Sequence, residues 1–258
     1  MDLIQLNKFS TLHDGKTIIF CKTDYLMSEF ENIKNIQNDV VLISGNSDYA
    51  ITDEIIKYLP KNVKKWFAQN AISKNEKLIP IPMGVENKLP SVREGHGIGY
   101  YDRVELKEVL LNRNISKTPT KKIYANFNVD TNPNHRNQVK DVCEKSQHIV
   151  WENSNLSLES FFDNLLDYEM IVCPAGNGVD THRLWEVLYS NRIPITVKIG
   201  DFKIYELYEK LPIIILNSIS ELNDIELINK KLIELNSKLL NIEFIDLNFW
   251  INKIKYDV

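Results

Sequence analysis

Cysteine is scarce in this sequence. Cys21, Cys143 and Cys173 are an odd set with no CxxC spacing, which excludes a disulfide framework and a thiolate zinc site. Buried thiols in a reducing compartment are expected instead. The five histidines are scattered, with no HxxxH or HExxH pair, so no metal is expected. Long apolar runs are missing too: no window reaches the roughly 20 apolar residues of a spanning helix. The start, Met1-Asp2-Leu3-Ile4-Gln5-Leu6-Asn7, has neither the basic nor the apolar part of a secretory signal. No membrane insertion and a cytoplasmic location are the expectations. A basic excess is absent as well. The formal net charge of -4 argues against a nucleic-acid-binding face, and the short basic stretches 61–65 and 117–122 read as solvated loops. What remains is 258 residues at 43% hydrophobic content, enough for one large core or two small ones.

Within that chain, short apolar runs alternate with helical patterns. Residues 17–21, 39–44, 64–70 and 78–84 read as strands. The run Val40-Val41-Leu42-Ile43 has the β-branched continuity of a strand buried on both faces, and Pro80 and Pro82 confine the last of the four to an edge or a strand end. Helical periods cover 25–36 and 51–59. From 86 to 119 the pattern weakens: 91–99 is loop-like, 103–111 reads as a helix, and a domain boundary is expected near 115. Strands are then expected at 122–127, 148–151, 168–173, 193–197 and 212–216. Helices are expected at 133–144, at 156–166 with a Ser157 cap, from Asp180, at 202–209 and over much of 219–240. A last amphipathic helix covers 244–256. Strands alternating with helices imply parallel sheets, whose ligands bind beyond the carboxyl ends of the strands.

The most informative stretch is Cys173-Pro174-Ala175-Gly176-Asn177-Gly178-Val179-Asp180-Thr181-His182-Arg183-Leu184-Trp185-Glu186-Val187-Leu188. A strand runs into a Gly-containing turn and then into a helix, with Asp180 or Thr181 as the expected N-cap. Unpaired helix N–H groups and the positive end of the helix dipole make such a turn an anion site. Leu184, Val187 and Leu188 share a face for the sheet. Arg183 and Glu186, three apart, share another. A diphosphate over the turn would take backbone N–H bonds and a charge-assisted bond from Arg183. Glu186, about 5 Å deeper, would accept from ribose hydroxyls. The alternative is a surface Arg–Glu pair beside a turn. His182 reads as a ligand-facing donor or a support of the loop, and Trp185 as core.

This segment resembles the exostosin-like glycosyltransferases, in which Pro-x-Gly-x-Gly-x-Asp-x-His-Arg-x-Trp-Glu-Ala-Leu precedes a small turn and Ile-Pro. The matching residues are Pro174, Gly176, Gly178, Asp180, His182, Arg183, Trp185, Glu186, Leu188, Ile193 and Pro194. Asn126, with Thr131, Asn132, Pro133 and Arg136, is similar to that family's first strand and helix of the nucleotide domain, whose basic residue approaches the phosphates. Stretches 66–70 and 79–87 are similar to its acceptor side.

The resemblance implies an α/β GT-B-like fold: two Rossmann-like domains with parallel sheets facing a cleft. It divides the chain into a trimmed acceptor-side domain at 1–115, a nucleotide-sugar domain at 116–240, and a C-terminal helix at 241–258 crossing back to the first. It implies a hexosyl- or pentosyltransferase moving sugar from a nucleoside diphosphate, with uridine the expected base, to a glycan or glycoconjugate hydroxyl. The transfer would be inverting and would need no metal or other cofactor, in keeping with the missing Asp-x-Asp motif. Donor-binding residues would be Gly176, Asn177, Gly178, Asp180, Thr181, His182, Arg183 and Glu186, with Arg136 and Asn126. Many relatives carry a membrane anchor and stem; neither is expected here.

An inverting transfer also needs a base. Asp48, in the loop after the second strand, and Glu86 are the candidates, each with a plain alternative as a turn or surface carboxylate. Trp66, Tyr100 and Tyr101 are candidate sugar platforms, with core packing the alternative. Two other readings stand beside the transferase. One is a non-catalytic nucleotide- or carbohydrate-binding module derived from such an enzyme. The other is a dehydrogenase, which lacks its GxGxxG after a first strand.

Overall fold

A computed structural model describes residues 2–87, 105, 108–111, 117–237, 240 and 242–257. Two all-parallel sheets carry it. The first contains β1 (Ile18–Lys22), β2 (Val40–Gly45), β3 (Val63–Ala68) and β4 (Leu78–Pro80), in that order. The second contains β5 (Lys121–Ala125), β6 (Ile149–Trp151), β7 (Tyr168–Val172), β8 (Ile193–Val197) and β9 (Ile214–Leu216), in the order β6-β5-β7-β8-β9. Chain order therefore reverses between β5 and β7. Their carboxyl-end loops diverge there and leave a crevice, which is where such sheets bind ligands.

The helices follow from their caps and apolar spacing. They are α1 (Leu26–Lys34), α2 (Asp53–Ile56), α3 (Pro133–Lys145), α4 (Leu158–Asp167), α5 (His182–Tyr189), α6 (Ile204–Tyr208), α7 (Ile225–Ser237) and α8 (Leu247–Tyr256). Asn132 caps α3 by accepting from the His135 N–H, with Pro133 at the first helical position. Ser157 caps α4 through the Ser160 N–H, as expected. The pattern at 51–59 gives α-helix only over Asp53–Ile56, because Pro60 follows closely and the flanking chain pairs elsewhere: Ile51 forms a bridge to Ala71. Residues 219–240 split into a 3-10 turn, Ile219–Asn223, and α7. The loop reading at 91–99 and Tyr100 and Tyr101 lie outside the described residues. Of the 103–111 helix, Glu105 and residues 108–111 are helical. A 3-10 helix at Leu6–Leu12 was not foreseen.

Period-2 alternation separates the cores. Val41, Ile43 and Phe67 face a shared central cluster, while Val40, Leu42 and Trp66 face a cluster on the far side of the first sheet. In the second sheet Tyr124 and Ile171 join the central cluster, and Ile123, Ala125, Met170 and Val172 face away. Trp66 is wholly buried and donates to Ser44 Oγ at 2.9 Å, so it is core and not a sugar platform. Helix α8 reaches the first half directly: the Leu247 N–H donates to the Asp2 carbonyl at 3.0 Å, and Lys65 pairs with Asp257 at 2.7 Å. All three cysteines are free and buried.

Candidate functional site

Two cavities lie side by side at the carboxyl ends of the strands. One, of about 530 Å³, lies at the β5/β7 crevice, and Asn126, Phe161, Arg183, Glu186 and Glu86 are on its wall. The other, of about 640 Å³, lies over the first sheet, with Lys22, Asp24, Asp48, Tyr49 and Asn87 on its wall. His182 lines both. Among the described residues no other is on both walls.

The Gly turn is held from beneath. Arg136 sits on α3 with 7% of its surface exposed. Its Nε donates to the Ala175 carbonyl, Nη1 to Asn128 and Nη2 to Pro174, at 2.9, 2.6 and 3.2 Å. Burial, and then the like charge of Arg183, bring this guanidinium down to about 10, so it stays charged at neutral pH. Arg136 therefore acts on the carbonyls that shape the turn, and all three of its nitrogens are engaged in doing so. Asn132 Nδ2 adds a bond to the Gly176 carbonyl at 3.0 Å.

Asp180 is 1% exposed and faces inward. Its carboxylate accepts from the Met83 N–H, the Thr181 N–H, Trp185 Nε1 and the Tyr208 hydroxyl, at 2.8, 2.9, 2.8 and 2.7 Å. Burial raises its pKa against the lowering effect of those bonds. The Asp180 N–H in turn donates to Asn70 Oδ1 at 3.0 Å. Met83 and Asn70 belong to the first half, so Asp180 ties the turn to the opposite sheet. The family resemblance grouped it with the donor contacts, yet its side chain points into the protein. Gly178 fits the same junction: a Cβ there would meet the Asn70 amide at 2.6 Å.

Helix α5 then starts at His182, with Thr181 at the N-cap position but without a side-chain cap bond. The Leu184 N–H turns back to the Thr181 carbonyl at 3.1 Å, so among the described residues it is the His182 and Arg183 N–H groups that are left for another acceptor. Leu184, Val187 and Leu188 are buried on the sheet side and Trp185 is wholly buried, as their spacing implies. Arg183 Nε donates to Glu186 Oε2 at 3.3 Å, Nη1 donates to the Asn126 carbonyl, and the guanidinium lies 3.8 Å from the centre of the Phe161 ring. Among the described residues its Nη2 has no hydrogen-bond partner, and it is the group left to meet an anion. Glu186 is 4% exposed, one turn further in.

His182 Nδ1 lies 2.8 Å from the Gly84 carbonyl oxygen. Asn177 is exposed and its Nδ2 donates to Asp48 Oδ2 at 3.2 Å, linking the turn to the loop after β2. Glu86 faces the β5/β7 cavity and Asp48 the other. The structure thus brings together His182, Arg183, Glu186, Asn126 and Glu86 on one wall. Sequence reasoning missed Phe161 and Ser157 there, since a helix start remote in sequence gave no sign of its neighbours. It also missed the supporting part played by Asn70, which has an unusual positive φ of 50°. Among the described residues no group of three His, Cys, Asp or Glu forms a metal-holding set, and no helix is long and apolar enough to cross a membrane. No protein-family model and no curated protein matches the sequence.

Proposed function

We propose that this protein is a glycosyltransferase of two Rossmann-like domains in GT-B arrangement, transferring a sugar from a nucleoside diphosphate, with uridine as the base, to a glycan hydroxyl. The observation that carries the reading is the crevice at the β5/β7 order reversal. There an anion-seeking helix start, the free Nη2 of Arg183 and the Glu186 carboxylate share one wall. The diphosphate would lie over the start of α5, against the His182 and Arg183 N–H groups and the Arg183 guanidinium. Glu186 would take the ribose hydroxyls. As the sugar–oxygen bond breaks, charge grows on the leaving diphosphate, and fixed donors aimed at that charge lower the barrier. The resemblance of 173–194 to exostosin-like transferases supports the same reading, and the second cavity is of a size for an acceptor.

Calorimetric titration with UDP, GDP, CMP and their sugars tests it. The wild type is expected to bind one nucleoside diphosphate family. Arg183→Ala is expected to weaken that binding about 10- to 100-fold, the worth of a charge-assisted hydrogen bond of about 1.5–3 kcal/mol, and Glu186→Ala to weaken it by a similar factor. Unchanged binding in both variants would remove the proposal.

A further inference from the structure

His182 has a feature that neither a donor grip nor a loop support uses. A carbonyl oxygen can only accept, so the 2.8 Å contact with Gly84 puts the ring proton of the neutral imidazole on Nδ1. That leaves the Nε2 lone pair without a partner among the described residues, on a ring that lines both cavities. The orienting carbonyl is itself held rigidly. Gly84 has φ +69 and pairs with Gln5 in an antiparallel bridge, and the Val85 N–H donates to the Ile4 carbonyl at 2.8 Å. One residue earlier, the Met83 N–H is bonded to Asp180. No side chain larger than hydrogen fits at Gly84, where a Cβ would lie 2.1 Å from the Ile4 carbonyl oxygen.

The geometry points to His182 as the general base of the transfer, an assignment that rests on the glycosyltransferase reading. A base whose tautomer is set by a fixed third group is the arrangement that activates a hydroxyl elsewhere in enzymes. The acceptor enters from the cavity over the first sheet and the donor sits in the β5/β7 cavity. His182 stands where the two meet. The acceptor hydroxyl oxygen forms the bond to the anomeric carbon while its proton passes to Nε2. The bond from that carbon to the diphosphate oxygen breaks, and its electron pair leaves with the diphosphate. The imidazolium then returns its proton to solvent. Asp48 and Glu86 each face a single cavity, and Asp48 already accepts a hydrogen bond from Asn177.

The test compares the wild type with His182→Asn, which can still donate to the Gly84 carbonyl but has no basic nitrogen, and with His182→Ala. Nucleotide-sugar binding is measured by calorimetry with a UDP- and GDP-sugar panel. Turnover is measured as nucleoside diphosphate released in the presence of mixed mono- and oligosaccharides. The expected result is donor affinity within about threefold of wild type for His182→Asn and turnover lower by on the order of 100-fold or more. Imidazole added to His182→Ala should restore part of that turnover, an effect that a purely structural role would not produce. If His182→Asn turns over at close to the wild-type rate, or loses donor binding as well, the assignment fails and the transferase reading stands. It fails likewise if Asp48→Asn or Glu86→Gln stops turnover while His182→Asn does not. If the wild type binds donors yet never turns over, the chain is a binding module and has no base. If the wild type binds no nucleotide sugar at all, the transferase reading itself falls.

Discussion

At the residue scale, the polar side chains around the Gly turn divide by what their hydrogen bonds leave over. Arg136 and Asp180 are saturated by the chain and shape it. Arg183 and His182 each spend part of their capacity on the fold and keep one nitrogen for the cleft. Asp14 belongs with the first kind, at the lead-in to β1. It accepts from the N–H groups of Lys16, Thr17 and Ile18 at 2.8, 2.8 and 2.9 Å, and from the Thr17 hydroxyl at 2.6 Å. Slight burial raises its pKa, but the bonds from Thr17, Lys16 and Ile18 outweigh this and hold it well below the ordinary 3.8. A depressed folded-state pKa stabilises the fold above the unfolded value, and that contribution is lost as pH falls below 3.8. Replacement by Asn keeps one acceptor and removes the charge. Asp14→Asn should therefore lower the urea midpoint at neutral pH, and the gap from wild type should close as the titration is repeated at progressively lower pH under 3.8. A gap independent of pH would mean that the charge is irrelevant there.

At the element scale, what was legible in the sequence was what depends on neighbours in the chain. The strand cores, the Ser157 cap and the buried face of α5 follow from period and local chemistry, and so did the edge position of β4 from its prolines. What failed to show was what depends on partners far away. Two of the three carbonyls that Arg136 clamps, those of Pro174 and Ala175, lie 38 and 39 residues on, and donors that fill Asp180 come from Met83 and Tyr208. A pattern such as Gly-x-Asp-x-His-Arg places side chains near a turn without saying which way they face. The Gly turn itself gives a test. A methyl at Gly178 would displace the Asn70 amide, which donates to the Ser47 carbonyl and accepts from the Asp180 N–H. Gly178→Ala should cost about 1–3 kcal/mol, the usual range for overpacking and for a lost buried hydrogen bond. Chemical denaturation measures this directly. An unchanged midpoint would mean that Asn70 moves aside freely.

At the scale of the whole molecule, two sheets that look like separate domains share one core. Leu3, Phe9 and Phe67 from the first half belong to the same apolar cluster as Tyr124, Trp185 and Trp250 from the second. Polar ties run through it. The Ile4 N–H donates to the Tyr189 hydroxyl at 2.9 Å, which itself donates to the Ile245 carbonyl at 2.8 Å. The Ile204 N–H donates to the Ala71 carbonyl at 2.9 Å. Neither half can open its inner face without exposing apolar surface on the other, and each fully buried large side chain contributes about 1.5–3 kcal/mol. A cleft enzyme needs two walls held in register, and this shared core holds the His182 ring on the boundary between them. Scanning calorimetry should therefore record a single transition, with calorimetric and van't Hoff enthalpies equal. Tyr189→Phe, which removes both hydroxyl bonds while keeping the ring, should lower that one transition and not split it. Two resolved transitions in the wild type would mean that the halves are stable alone, and the common core would then be a contact between domains and not their foundation.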